Sequence, residues 1–112
     1  MKKQLLLIIF CFCILHFVYP QQYGLQLINP TSISGTPDFS DIHAVDEDVA
    51  FISCSSQANI FRTDDGAGSF STQTTSLGTS TEAIYMIDSS NGFCGGGSGF
   101  VYNTGDGGNN WG

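Results

Sequence analysis

Carboxylates dominate the reactive groups of this chain of 112 residues, with ten Asp and Glu against three Lys and Arg. Hard oxygens at short spacing are what Ca²⁺ takes, and Asp46-Glu47-Asp48 and Asp88-Ser89-Ser90-Asn91 are the places that offer them. Neither has the Asp-x-Asp-x-Asp-Gly order with a closing Glu that wraps the ion, so both are read as solvated hairpin turns. The run Gly95-Gly96-Gly97-Ser98-Gly99 has the backbone freedom of a phosphate cradle. It lacks the Gly-Lys-Ser/Thr ending and the following helix, and is read as a hairpin instead. His43 has no metal-ligating or nucleophilic neighbour in the sequence and is expected on a strand surface. Asn29-Pro30-Thr31 fails as a glycosylation acceptor because of its Pro. No catalytic, cofactor-binding or metal-binding residue is expected, and no cofactor.

Of the four cysteines, Cys11 and Cys13 fall in an apolar amino-terminal segment, which leaves Cys54 and Cys94. In an oxidising compartment these two can pair. Alternatively they are two small buried hydrophobes. Cys54 stands nine residues before Thr63 and Cys94 ten before Thr104. Side chains alternate faces along a strand, so that one-residue difference sends the thiols to opposite sides unless a bulge or turn length absorbs it.

The elements that position these groups follow from a stretch that occurs twice, Thr63-Asp64-Asp65-Gly66-Ala67-Gly68-Ser69-Phe70 and Thr104-Gly105-Asp106-Gly107-Gly108-Asn109-Asn110-Trp111. From Thr63 to Thr104, from Asp65 to Asp106 and from Phe70 to Trp111 the spacing is 41 residues. A fixed period of this size marks a repeat protein. Each copy follows an apolar pair, Ile60-Phe61 or Val101-Tyr102, and so reads as strand, tight turn, then a strand opening on an aromatic. Gly66 and Gly107 supply left-handed backbone without the clash of a Cβ. Asp65 and Asp106 are placed to fold a carboxylate back onto backbone N–H groups.

The pattern Ser/Thr-x-Asp-x-Gly-x-x-Phe/Trp resembles the Asp-box, or bacterial neuraminidase repeat. With its apolar lead-in it is most similar to the propellers of the photosystem II assembly/stability factor family and their secreted bacterial relatives. The resemblance covers about residues 39–111. It implies an all-β fold, a partial β-propeller in which Thr63, Asp65, Gly66, Phe70, Thr104, Asp106, Gly107 and Trp111 are structural and hold a turn between the last two strands of each blade. Ala67 takes the place of the second Gly of the usual Asp-Gly-Gly, and Phe70 stands where Trp is commoner. The Gly95–Gly99 hairpin is then expected beside the propeller axis.

Lys2 and Lys3, the apolar run Leu5–Val18 and then Tyr19-Pro20-Gln21 follow the order of a secretory signal peptide, with a cut expected near Gln21. The run is too short for the roughly 20 residues of a spanning helix. A lipid anchor at Cys11 or Cys13 is the rival reading, though neither is preceded by the small residues that lipidation requires. Beyond the leader, Arg62 is the one Lys or Arg in the chain. A surface so acidic excludes a nucleic-acid partner and an anionic membrane, because neither gains counterion release from it.

The expected organisation is a signal helix at 1–21, an amino-terminal strand (Leu25–Ile28) and loop over 22–38, a complete four-stranded blade at 39–81 and an incomplete one at 82–112. Blades bury their faces only against neighbours, and propellers close with roughly four to eight of them. The chain is therefore expected to be a fragment of a longer parent that supplies the remaining blades. The function expected is a secreted or cell-surface scaffold that binds protein or glycan without catalysis. The alternative is a piece of a sialidase-like glycoside hydrolase with its catalytic residues elsewhere. A sialidase site needs three Arg, and Arg62 is alone.

Overall fold

The computed structural model describes residues 32–74 and 78–112. The leader with Cys11 and Cys13, and the Leu25–Ile28 strand, lie outside the described residues. Among the described residues there are seven strands: β1 (Phe39–Ala44), β2 (Ala50–Cys54), β3 (Asn59–Thr63), β4 (Ser71–Thr74), β5 (Thr81–Met86), β6 (Gly92–Gly96) and β7 (Val101–Thr104). They form two antiparallel sheets, ordered β1-β2-β3-β4 and β5-β6-β7. The architecture is all-β, in the arrangement of two partial propeller blades. Among the described residues the sole helical element is a 3-10 turn at Gly97–Gly99.

Local chemistry sets the hairpins. Between β1 and β2 the Asp46 carboxylate accepts the N–H groups of Asp48 (2.9 Å) and Val49 (2.7 Å). Between β5 and β6 Asp88 does the same for Ser90 and Asn91, each at 2.7 Å. An Asx turn of this kind replaces the water that the turn's donors would lose. The two acidic segments considered as Ca²⁺ loops are thus hairpin ends, their leading carboxylates engaged by backbone.

Register shows how closely the sheets repeat. Phe39↔Cys54 and Ala44↔Ala50 in the first correspond to Thr81↔Gly96 and Met86↔Gly92 in the second, a spacing of 42 residues. Even the irregularity recurs, between Phe39 and Asp41 and between Thr81 and Ala83. Across the next pair, Ala50↔Thr63 corresponds to Gly92↔Thr104, so the spacing falls to 41. The β6–β7 hairpin is therefore one residue shorter than β2–β3. A fourth strand opens in the second sheet too: Gly112 exchanges both backbone hydrogen bonds with Asn103 (2.9 and 3.0 Å), where Ser71 pairs with Arg62.

The sheets stack face to face in one direction. Along β2, Phe51 and Ser53 point one way, Ile52 and Cys54 the other. Phe51 and Ile60 from one face of the first sheet form a core with Ile84, Met86, Cys94 and Trp111 of the second. Ile52, Cys54 and Phe61 occupy the opposite face of the first sheet, with Ile33 and Phe70 against them. By register Ile84 is the counterpart of Ile42, and Cys94 of Ile52. The trailing face of one sheet thus receives the leading face of the next.

Cys54 and Cys94 are free and buried, so the possible disulfide is corrected. The shortened hairpin absorbs the one-residue difference and puts both thiols on the leading faces of successive sheets. The first sheet lies between them. Burial pushes the Cys94 thiol up to about 11. Thr81 opens β5, and its side chain is fully buried.

Candidate functional site

The repeated bends carry the densest polar network. Thr63 donates its hydroxyl to Asp65 Oδ1 (2.8 Å) and accepts the Ala67 N–H (2.9 Å). Asp65 Oδ1 also accepts the Ser69 N–H (2.8 Å), and Oδ2 accepts the Ser69 hydroxyl (2.7 Å). In the second bend Thr104 donates to Asp106 Oδ1 (2.9 Å) and accepts the Gly108 N–H (2.9 Å). Asp106 accepts the Asn110 N–H (2.9 Å) and its side-chain amide (2.7 Å). The two networks differ in the group that meets the second carboxylate oxygen, a hydroxyl or an amide, and at the Asp carbonyl, which accepts the Gly68 N–H (3.3 Å) in the first bend and the Asn109 side-chain amide (2.7 Å) in the second.

These bonds favour the ionised form. The Ser69 hydroxyl, then the Ser69 N–H and the Thr63 hydroxyl, hold Asp65 below the ordinary carboxylate value. The Asn110 amide and N–H do the same for Asp106. At Asp88 the Asn91 side-chain amide leads. A carboxylate fixed this way is a structural acceptor and a poor proton donor.

Each bend docks on the neighbouring hairpin of its own sheet, Gly66 N–H to the Asp48 carbonyl (3.0 Å) and Gly107 N–H to that of Ser90 (2.8 Å). Gly66 (φ 64°) and Gly107 (φ 72°) are left-handed, as are Ala67 (φ 71°) and its counterpart Gly108 (φ 87°). Ala67 bears a Cβ where that conformation disfavours one. The aromatics share the leading face and differ in burial: Trp111, 6% exposed and over Gly108, packs with Ile84, Met86 and Cys94, whereas Phe70 is half-buried beside Ile52, Cys54 and Phe61. Trp111 Nε1 has no hydrogen-bond partner among the described residues.

Sequence reasoning missed the residues that join the sheets. Arg62 is held by Asp64 at 2.6 Å, reaches the carbonyls of Ser89 (3.2 Å) and Gly107 (2.9 Å), and covers the Phe51 ring at 5.2 Å. At the other end of the sheets Thr81 Oγ1 accepts the Cys54 N–H (3.0 Å) and donates toward the Asn59 and Cys54 carbonyls (3.1 and 3.2 Å). Ser40 donates to the Thr81 carbonyl (2.7 Å), and Asp41 Oδ2 accepts the Ile84 N–H (3.1 Å). β5 is an edge strand, so Asp41 satisfies a donor its own sheet leaves open. The one sequence signal was that Arg62 had no other role.

His43 does lie on a strand surface, its ring set edge-on to Tyr85 with centroids 4.8 Å apart. The Gly95–Gly99 segment is the β6–β7 hairpin, and Gly97 donates its N–H to the Ser80 carbonyl (3.0 Å). It closes on the chain entering β5. Among the described residues no three His, Cys, Asp or Glu side chains group as a metal site.

The remaining surfaces of note are apolar. Phe39 and Ile42, 51% and 65% exposed, flank Ile52 on the leading face of the first sheet. Tyr85, Phe93 and Val101 form a shallow hollow on the trailing face of the second. Compared with known proteins, the chain matches no family model, no curated protein and no solved structure.

Proposed function

We propose that the chain is part of a secreted or cell-surface β-propeller of the Asp-box type, acting as an interaction scaffold for protein or glycan and carrying no catalysis of its own. One observation carries this reading: the sheets stack in a single sense and leave a leading and a trailing apolar face open, so further sheets of the same kind continue the series. The occupied state of the charged groups supports a non-catalytic role. Asp65, Asp106 and Asp88 hold backbone, and Arg62 is committed to Asp64 and two carbonyls. The alternative, a piece of a sialidase-like glycoside hydrolase, places its carboxylate-binding Arg residues outside this chain, and Arg62 is not among them.

Secretion is tested by expressing the chain in an exporting host and sequencing the mature amino terminus, which is expected just after the leader at 1–21. The exported protein is then applied to a glycan array and, separately, to a fluorogenic sialoside. Binding without turnover is expected. Turnover by the purified chain contradicts the scaffold reading.

A further inference from the structure

We infer that residues 29–32 form the fourth strand of a further sheet lying on the leading face of β1–β4, whose other three strands come from the remaining blades of the same protein. This rests on the propeller reading above and says which part of that sheet the present chain supplies.

The chain entering β5 is the template. Followed back from β5 it passes through Ser80 to β4, the last strand of the sheet before. The chain entering β1 repeats this at the spacing of 42 residues that relates β1 to β5. The Ser80 carbonyl accepts the Gly97 N–H (3.0 Å), and the Asp38 carbonyl accepts that of Ser55 (2.8 Å), each residue 42 positions before its counterpart. Continued back at that spacing, Ser71–Thr74 of β4 corresponds to Asn29-Pro30-Thr31-Ser32.

The contacts with the bends agree. β4 passes beside the second bend, where a Cβ on Gly108 would stand 3.6 Å from Gln73 Cγ. Ser32, one position on from the counterpart of Gln73, meets the first bend, and its Oγ accepts the Phe70 N–H at 2.7 Å. Proline also fits this register. In the second sheet Gly112, which stands where Ser71 does, exchanges both backbone hydrogen bonds with Asn103. Such pairs alternate along an antiparallel ladder, so Ser71 and Gln73 face β3 and Thr72 turns its N–H away from it. Pro30 corresponds to Thr72, an edge position at which the missing donor costs no ladder bond.

Burial shows which part of the covering sheet is lacking. Ile52, Cys54 and Phe61 of the leading face are buried, with Ile33 and Phe70 packed against them. Toward β1 the same face opens, with Phe39 51% and Ile42 65% exposed, although Ile84, the counterpart of Ile42, is 5% exposed beneath the first sheet. The amino-terminal segment thus covers one side of the face, and the open side is where the three other strands of the covering sheet belong.

Amide exchange read residue by residue by NMR tests this, on the 112-residue chain and on the product of its full reading frame. In the full product the Asn29 and Thr31 amides face the neighbouring strand and should exchange slower than in the 112-residue chain, by on the order of 100-fold. The Ser32 amide faces away and should stay fast in both. Thr31→Pro, which removes a ladder donor, should lower the melting temperature of the full product and leave that of the 112-residue chain unchanged, whereas Pro30→Ala should alter neither. A full product without further strands overturns the inference, as does one in which Asn29 and Thr31 exchange as fast as Ser32 or in which Thr31→Pro is silent. The propeller reading is decided separately, by whether the added sequence carries more of the repeated octapeptides. If it does and residues 29 and 31 stay unprotected, only the present inference falls.

Discussion

Arg62 Nη1 donates to the carbonyl oxygen of Gly107 at 2.9 Å, tying the third strand of the first sheet to the bend of the second. A Cβ at position 107 would displace the guanidinium and lie 2.9 Å from the Ser89 carbonyl, so the bend's glycine is required by the backbone beside it as well as by its φ of 72°. Arg62 is therefore a joint between repeats. Arg62→Lys keeps the charge but not the planar fork that serves Asp64 and two carbonyls together. Both Arg62→Lys and Arg62→Met are expected to lower the urea midpoint, with a loss of about 1.5–3 kcal/mol for the latter. An unchanged midpoint for Arg62→Met would show that the joint carries no stability.

The two bends differ at one strained position, which makes them an internal control. Ala67 adopts the left-handed conformation that Gly108 adopts in the second copy. Ala67→Gly should raise stability by about 1 kcal/mol through relief of that conformation. Gly108→Ala should lower it, because the new Cβ is strained and also meets the Trp111 indole at 3.3 Å. Thermal melts of the two variants are expected to move in opposite directions.

At the start of β6, Gly92 and Met86 divide a volume that Ala50 and Ala44 share in the first sheet. A Cβ on Gly92 would strike the Met86 sulfur and lie 2.8 Å from the Tyr85 carbonyl. Gly92→Ala should cost about 1–3 kcal/mol by overpacking. Adding Met86→Ala, which recreates the first-sheet pair, should recover part of that loss; a double variant worse than the sum of the singles would contradict the account.

Strand positions were legible because each repeated octapeptide fixes a turn and alternation fixes its flanks. The apolar pairs Ile60-Phe61 and Val101-Tyr102, read as strand ends ahead of each bend, do lie in β3 and β7. The faces of Cys54 and Cys94 were not legible. Their relation depends on the length of one hairpin, and counting from the bends does not show which turn lost a residue. The reach of Arg62 and the burial of Thr81 were hidden for another reason. Both depend on contacts 22 to 45 residues away in sequence, and no local pattern specifies those.

Acid should loosen the bends. Hydrogen bonds lower the Asp65, Asp106 and Asp88 carboxyls in the folded chain relative to their ordinary value of 3.8. A depressed carboxyl contributes stability that is present above its unfolded value and is lost as pH falls through the folded one. Melting temperature should therefore hold from neutral pH down to about 4 and drop below it. In Asp65→Asn the neutral side chain cannot titrate, so the acid drop should be shallower from a lower starting point. A profile as steep as that of the unaltered chain would rule out Asp65 as a contributor.

The central claim is that the two bends are equivalent positions in sheets stacked head to tail, and side-chain NOEs measure it most directly. The account predicts cross-peaks linking Phe51 and Ile60 to Ile84 and Met86, and a separate group linking Phe61 to Ile52 and Ile33. Cross-peaks from Phe61 to Met86, with none from Phe51, would put the opposite face of the first sheet against the second and contradict it.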